Sequence, residues 1–138
     1  MLIVRRAERT DLPSIAEIQA ACPEAANWNA EDYLLYDFLA AETGGAVAGF
    51  LCARQTAPAE REILDICIAP AHRRLGVGRS LLDSYLYGFR GEVFLEVRIS
   101  NSGAMKFYKR YGFQELTVRK AYYDNPGEDG VVMTLHSC

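Results

Sequence analysis

The chain has 138 residues, of which 50% are hydrophobic and 24% charged, as expected of one globular domain rather than of a disordered or two-domain protein. A net charge of −3 argues against a general nucleic-acid-binding protein. Four scattered cysteines without a C-x-x-C pair, and two histidines, argue against a metal site or a redox pair. The apolar segment at residues 1–4 is followed by arginine too soon for a signal peptide or a membrane span. We therefore expect no membrane partner, a cytoplasmic location and cysteines that are free thiols.

The first half of the chain predicts a strand, two helices and three further strands. Leu2–Arg6 is a short apolar run, and apolar residues spaced three to four apart then indicate a helix that stops before Pro23. A second helix is predicted to start at Asn29 and to carry Tyr33, Leu34, Tyr36 and Asp37. Strands follow at 38–42, 46–54 and 62–68, the first two joined by a tight turn at Gly44 and Gly45.

In the second half, the predicted elements alternate between helix and strand before a final pair of strands. A helix begins near Ser80 and ends at about residue 89, a strand covers 93–97, and a helix covers Ser102–Tyr111. Two strands, 114–120 and 131–135, complete the chain. The predicted order is βααβββαβαββ in a single domain over residues 1–138.

An arginine–glycine loop at residues 73–80 separates the strand at 62–68 from the next helix. Its sequence is Arg73-Arg74-Leu75-Gly76-Val77-Gly78-Arg79-Ser80. Glycines at a helix start let backbone N–H groups converge on a phosphate, and three arginines add positive charge. Ordinary turn chemistry is the alternative interpretation of an isolated R-x-x-G-x-G. The loop lacks the third glycine of a dinucleotide fingerprint and the lysine of a P-loop.

This loop resembles the acyl-CoA pyrophosphate loop of the GCN5-related N-acetyltransferases, Q/R-x-x-G-x-G/A between the fourth strand and the third helix. The order of elements extends the resemblance over essentially the whole chain. It implies an α/β fold with a mixed, mostly antiparallel sheet and helices on both faces, and acetyl-CoA as cosubstrate without a metal. It also implies that all eight loop residues bind the cofactor, together with the strand residues Ile66, Cys67 and Ile68 and with Asn101.

Two of these cofactor residues have an alternative interpretation. Asn101 can cap the helix that starts at Ser102, a role compatible with contacting the CoA arm. Cys67 is interpreted as a small buried residue whose backbone serves the cofactor, rather than as a nucleophile, because direct transfer needs no acyl-enzyme.

The run Leu95-Glu96-Val97-Arg98-Ile99-Ser100-Asn101 and the pair Tyr122-Tyr123 resemble one branch, the RimI-like ribosomal-protein-alanine N-acetyltransferases. This resemblance implies that the acceptor partner is a protein N-terminus, with alanine as the first residue. The acetylation of a small amine or of a lysine side chain is the alternative activity, and a CoA-binding regulatory or docking module is the alternative without catalysis. The oligomeric state stays open.

Glu96 and Tyr108 are the predicted catalytic residues. Because side chains alternate along a strand, Glu96 faces the opposite side of the sheet from Leu95 and Val97. On that side its carboxylate can act as a base. An α-amine has a pKa near 8 and lysine one of about 10.4, so lysine is harder to deprotonate by roughly 3 kcal/mol. Tyr108 matches the position from which a family tyrosine protonates the CoA sulfur. An ion pair with Arg98 or Arg119 is the alternative for Glu96, and a place in the core is the alternative for Tyr108.

Acceptor selection is predicted to fall to four aromatic residues, Trp28, Tyr33, Tyr122 and Tyr123. In the resembling enzymes the paired tyrosines close a hairpin over the peptide, and Trp28 lies where that branch carries Pro-Trp-Ser. A place in the core is the alternative for these aromatics. Because a mere sensor of CoA needs neither proton-transfer group, Glu96 together with Tyr108 favours an enzyme.

Overall fold

A computed structural model describes residues 1–22, 29–124 and 127–138, and for 121–124 and 127 it describes the backbone alone. The chain divides into two compact units. The first contains Met1–Arg54 and Ile63–Gly88, and the second contains Gln55–Glu62 and Phe89–Cys138. That residues 1–138 form a single domain stays a prediction.

The first unit contains strands in the order β1-β2-β3-β4, in which β1 pairs antiparallel with β2 and β2 pairs antiparallel with β3. The strands are β1 (Leu2–Arg6), β2 (Asp37–Thr43), β3 (Ala46–Ala57, to Arg54 in this unit) and β4 (Glu60–Ile68, from Ile63 in this unit). Its helices are α1 (Leu12–Ala20) and α2 (Val77–Leu86), with 3-10 turns at Arg9–Asp11, Ala30–Leu35 and Pro70–His72. A hydrogen bond of 2.6 Å from the Tyr85 hydroxyl to Asp37 joins α2 to β2.

The second predicted helix is a six-residue 3-10 helix, Ala30–Leu35. Asn29 starts it as expected, since its side chain accepts a hydrogen bond from the Glu31 N–H at 3.1 Å. The prediction that the helix includes Tyr36 and Asp37 is wrong. Tyr36 is already extended, with a φ of −124° and a ψ of −176°. Asp37 is the first residue of β2 and pairs with Ala53, so the ladder takes over from the helix at this point.

Three aromatic rings pack together in the core of the first unit. Tyr33 and Phe50 are fully buried and Phe38 is 5% exposed, and the Tyr33 ring lies 5.4 Å from Phe38 and 5.1 Å from Phe50 between centroids. Ile15 of α1 packs in the same buried cluster. Burying several such side chains, at about 1.5–3 kcal/mol each, is what holds the helix on the strands.

The second unit contains β5 (Gly91–Arg98), α3 (Ser102–Tyr111), β6 (Gln114–Asp124) and β7 (Gly127–Ser137), with the first residues of β4. The strand order is β4-β5-β7-β6. β7 pairs antiparallel with both neighbours, whereas β4 pairs parallel to β5, at Glu60–Glu62 against residues 92–94. Both kinds of pairing therefore occur, and the antiparallel kind dominates.

The order of strands and helices in the described chain follows the predicted βααβββαβαββ, with the 3-10 helix in the place of the second α-helix. Leu2–Arg6 and Ser102–Tyr111 have the predicted bounds. Within the described residues, no helix is long and apolar enough to cross a membrane.

Candidate active site

The arginine–glycine loop leads directly into α2. Gly76 precedes the helix with a φ of +80°, and Arg74 has a φ of +65°, so the loop turns sharply just before the helix begins. The bond from the Ser80 N–H to the Gly76 carbonyl, 3.0 Å long, is at the first turn of α2. The N–H groups of Val77, Gly78 and Arg79 precede it, and a helix offers such groups no internal partner. They form the positive end of a ten-residue helix.

A ligand can approach the loop closely. A Cβ built on Gly76 meets nothing within 4 Å, so Gly76 is required for its backbone angle and leaves the space above it open. Leu75 is 68% exposed and the Arg79 side chain is 74% exposed, with a long 3.9 Å ion pair to Asp83. Exposed cations around the N–H groups at the start of a helix suit a pyrophosphate.

Arg73 fixes the start of the loop. Its guanidinium donates to the carbonyl of Ile68 at 3.3 Å, to the carbonyl of Ala21 at 3.3 Å and to the sulfur of Cys22 at 3.5 Å. These bonds tie the loop to the end of β4 and to the end of α1. Arg73 therefore has a structural role, because it holds the loop against β4 and α1. The spacing of the motif did not indicate this role.

Gly49 of β3 is a second support that the sequence analysis missed. A Cβ at this position lies 2.9 Å from the Cys67 carbonyl oxygen and 3.2 Å from a methyl group of Val77. Both distances are tighter than ordinary packing, so a side chain here would push against β4 and the first residue of α2. A glycine inside a strand was the available signal.

The end of β4 has two different faces. Cys67 is 1% exposed and Asp65 is 6% exposed, whereas Ile66 and Ile68 are half-buried on the other face. Cys67 is thus buried, as the sequence interpretation requires. That the backbone of Ile66, Cys67 and Ile68 binds the CoA arm stays a prediction.

Glu96 lies on the less buried face of β5, opposite Leu95 and Val97, which are 2% and 8% exposed. Its Oε1 accepts a 2.6 Å hydrogen bond from Arg119 of β6, and its side chain is 21% exposed. Its Oε2 is buried and has no hydrogen-bond partner among the described residues. The ion pair of the alternative interpretation is therefore present, but it occupies one oxygen and leaves the other available.

The residues after Glu96 hold the start of β7. Arg98 forms a 3.1 Å ion pair with Glu128, and the Ser100 hydroxyl donates to the same carboxylate oxygen at 3.1 Å. The Ile99 N–H donates to the Asp129 carbonyl at 3.0 Å. The bond from Ser100 and the charge of Arg98 lower the pKa of Glu128. The motif residues thus connect the strand that carries Glu96 to the hairpin of β6 and β7.

Tyr108 and Asn101 belong to α3. Tyr108 is 7% exposed, and its ring packs edge-on against Phe107 and Phe113 at 5.2 and 5.5 Å between centroids. Asn101 caps the helix, because its Oδ1 accepts from the Ala104 N–H at 3.2 Å. The predicted roles of Tyr108 as proton donor and of Asn101 as a CoA contact stay predictions.

The four predicted acceptor residues have separate outcomes. Trp28 and the side chains of Tyr122 and Tyr123 lie outside the described residues. Tyr33 is fully buried, and its hydroxyl donates to Asp65 at 2.6 Å. The core alternative therefore applies to Tyr33, and we withdraw it as an acceptor contact because no part of its ring is open to a ligand.

Residues 4–113 match the model of the acetyltransferase (GNAT) family. The chain belongs to this family. It is 32% identical to an N-alpha-acetyltransferase of Sulfurisphaera tokodaii, over 94% of this chain and 90% of the relative. It is also 32% identical to the ribosomal protein bS18-alanine N-acetyltransferase of Escherichia coli K12, over 93% of each.

The fold is that of solved GNAT enzymes. The crystal structure of Ard1 from Thermoplasma volcanium superposes with a TM-score of 0.88 and 26% identity, over 99% of this chain and 98% of that one. The predicted α/β fold and N-acetyltransferase activity are thereby confirmed, with acetyl-CoA as the family's cosubstrate. Among the described residues, no three His, Cys, Asp or Glu side chains form a cluster that could hold a metal ion.

Proposed function

We propose that this chain transfers the acetyl group of acetyl-CoA to the α-amine of a protein N-terminus, with alanine as the favoured first residue. The names of the relatives support a protein acceptor. The RimI-like run at 95–101 supports the preference for alanine as the first residue. Arg98 and Ser100 of this run bind Glu128 at the start of β7.

The observation that carries the proposal is that the two carboxylate oxygens of Glu96 have different surroundings. Arg119 fixes Oε1, whereas Oε2 is buried without a partner among the described residues. A buried polar oxygen without a partner is costly unless a water or a ligand satisfies it. Glu96 therefore presents an oriented acceptor for a proton, and an α-amine requires less driving force than lysine to release one.

The chain's own groups account for the binding of the cosubstrate and for two proton transfers. The arginine–glycine loop binds the pyrophosphate through the N–H groups at the start of α2 and through its arginines. Glu96 takes a proton from the acceptor ammonium, directly or through a water, so that the neutral amine can attack the thioester carbonyl carbon. Tyr108 donates a proton to the departing thiolate when the carbon–sulfur bond breaks, and the newly bonded nitrogen releases its extra proton to water, from which the Tyr108 hydroxyl is restored.

A peptide array tests this proposal. The purified protein is incubated with acetyl-CoA and peptides that differ in their first residue, each with a free and a blocked α-amine, and mass spectrometry locates the acetyl group. We expect fast acetylation of the free α-amine behind Ala, Ser or Gly, and a lower KM for a peptide than for free alanine. Equal rates for blocked peptides that contain lysine, or a faster reaction of a free small amine, would exclude an N-terminal acceptor.

We also propose that the reaction takes place in the cytoplasm and that residues 1–138 act as one domain. The four cysteines are all free, which is typical of proteins in reducing compartments.

A further inference from the structure

A carboxyl group lies inside the apolar core of the first unit. Asp65 of β4 is 6% exposed. One of its oxygens accepts a 2.6 Å hydrogen bond from the Tyr33 hydroxyl, and the other accepts from the Cys67 thiol at 3.5 Å. Burying a carboxylate costs free energy unless hydrogen-bond donors replace the lost water, and a length of 2.6 Å is typical of a bond to a charged oxygen. The proposed proton transfers use neither Asp65 nor Tyr33.

The ring of Tyr33 fixes the direction of this bond. Tyr33 is fully buried, and its ring packs against those of Phe38 and Phe50. Burial and the charge of Asp65 raise the pKa of Tyr33, so the hydroxyl keeps its proton at neutral pH and remains a donor. Because Tyr33 belongs to the 3-10 helix Ala30–Leu35, the bond connects this helix to β4.

Stability alone does not account for a polar pair at this place. Replacing a buried polar pair by apolar side chains of similar size is often neutral or stabilising. Asp65 directly precedes Ile66, and the side chains of β4 point alternately into the core and away from it. A bond that holds Asp65 from the core side therefore also constrains the backbone of the residues that follow it.

β4 is the outer strand of the first unit, in the order β1-β2-β3-β4. Within the described part of this unit, its ladder partner is β3, on one side. The end of β4 is fixed by the bond from Arg73 to the Ile68 carbonyl, at 3.3 Å, and by the bond from the Ala69 N–H to the Ala48 carbonyl, at 2.8 Å. The bond between Tyr33 and Asp65 adds a further point of attachment, before the end of the strand.

We propose that Tyr33 and Asp65 are positioning residues for acetyl-CoA, whose buried hydrogen bond holds the backbone at Ile66–Ile68 in the arrangement that binds the CoA arm. The inference rests on the proposed role of β4 in binding the cofactor. Neither side chain needs to touch the ligand, since Tyr33 is fully buried and Asp65 lies on the core side of β4. The pair acts through the backbone of the strand.

Calorimetry with acetyl-CoA and amide hydrogen exchange test this proposal together. Tyr33→Phe keeps the packed ring and removes the bond. We expect about fivefold weaker binding of acetyl-CoA and faster exchange in the peptides that cover residues 63–68. Asp65→Asn retains an oxygen that can accept from Tyr33 and should bind acetyl-CoA more tightly than Asp65→Val, which retains none.

Tyr85→Phe is the matched control. It removes a bond of the same length, 2.6 Å, from another buried tyrosine of the first unit to a carboxylate, that of Asp37. This bond joins α2 to β2 and does not involve β4. Acetyl-CoA affinity and exchange at 63–68 should therefore stay as in the wild type, even where Tm falls as much as in Tyr33→Phe.

The double variant Tyr33→Phe/Asp65→Val separates positioning from stability. Two apolar side chains should return Tm towards the wild-type value, whereas acetyl-CoA binding should stay as weak as in Tyr33→Phe, because the bond is still missing. Affinity that recovers together with Tm would show that the pair has a structural role only.

Wild-type affinity of Tyr33→Phe, or unchanged exchange at 63–68 in this variant, would overturn the proposal. An equal loss of affinity in Tyr85→Phe would overturn it as well, because any lost buried bond would then have the same effect. Failure of the wild type to bind acetyl-CoA would instead refute the proposed cofactor site, whatever the exchange at 63–68 shows.

Discussion

The arginine–glycine loop and the end of β5 both carry predicted functional residues, but they present different kinds of chemistry. The loop offers backbone N–H groups and depends on the φ of Gly76, so its chemistry is encoded by adjacent residues. The end of β5 offers the carboxylate of Glu96, whose state depends on Arg119, 23 positions away. A backbone site can therefore be recognised from a short motif, whereas a side-chain site needs the partners that the fold brings to it.

The largest effect is expected at the side-chain site. Glu96→Gln should lower kcat by about 10²-fold or more, because the amide cannot take the proton, and acetyl-CoA affinity should stay unchanged. Raising the pH should restore part of the rate, since more of the acceptor amine is then neutral. Steady-state kinetics from pH 6 to 9 measure both. Glu115→Gln, which removes a carboxylate from the exposed 2.8 Å pair with Lys109, is the matched control and should behave as the wild type.

A similar loss is expected for Tyr108→Phe, about 10²-fold in kcat, because the departing sulfur loses its proton donor. Unlike Glu96→Gln, this variant should gain nothing from higher pH. Tyr111→Phe is the control. It removes a hydroxyl three residues after Tyr108 on α3 and should keep the wild-type rate. A wild-type kcat for Tyr108→Phe would leave Tyr108 as a core residue only.

At the backbone site, Gly78→Val should weaken acetyl-CoA binding at least about tenfold while the fold survives, since a branched side chain at the start of α2 obstructs the phosphates. Isothermal calorimetry gives the affinity and circular dichroism the fold. Gly103→Val is the control for a branched residue at a helix start, because Gly103 is likewise the second residue of its helix and a Cβ there meets nothing within 4 Å; Gly103 is exposed, whereas Gly78 is buried. Equal losses in both variants would contradict the assignment of the loop.

A smaller effect should follow from the loss of the partner of Glu96. Arg119→Gln removes the 2.6 Å bond to Oε1, and we expect kcat to fall about fivefold with little change in KM, because the pair is partly exposed and the carboxylate itself remains. Arg119→Lys should recover part of the rate. A loss as large as that of Glu96→Gln would mean that Arg119 takes part in the reaction itself.

The smallest effect concerns stability and pH. Because Ser100 and Arg98 lower the pKa of Glu128 below its usual 4.5, the ionised carboxylate stabilises the folded state above that value. The stabilisation is lost as the pH falls through the lower folded value. Glu128→Gln should therefore lower Tm by about 2 °C at pH 7 and match the wild type in strong acid. A pH-independent difference in Tm would show that charge is not the cause.

The parts of the fold that the sequence predicts best are those with local signals. Ser102–Tyr111 has a capping asparagine before it and Gly112, with a φ of +128°, after it. β7 is longer than the predicted 131–135, since its pairing with β5 extends from Gly130 to Ser137. Pairing between distant strands cannot be predicted from the neighbouring residues in the sequence alone. The same reason explains the missed contacts of Arg73 with the Ile68 and Ala21 carbonyls.

The cap at the start of α3 also fixes the polarity of Asn101. Its carbonyl oxygen already accepts from the Ala104 N–H, so the side chain keeps its two amide hydrogens and one oxygen lone pair for other partners. A ligand oxygen or another lone pair can therefore bind the amide hydrogens of Asn101 while the cap stays in place. Asn101→Asp should separate the two roles, because a carboxylate keeps the cap and replaces the only donors of this side chain with a negative charge.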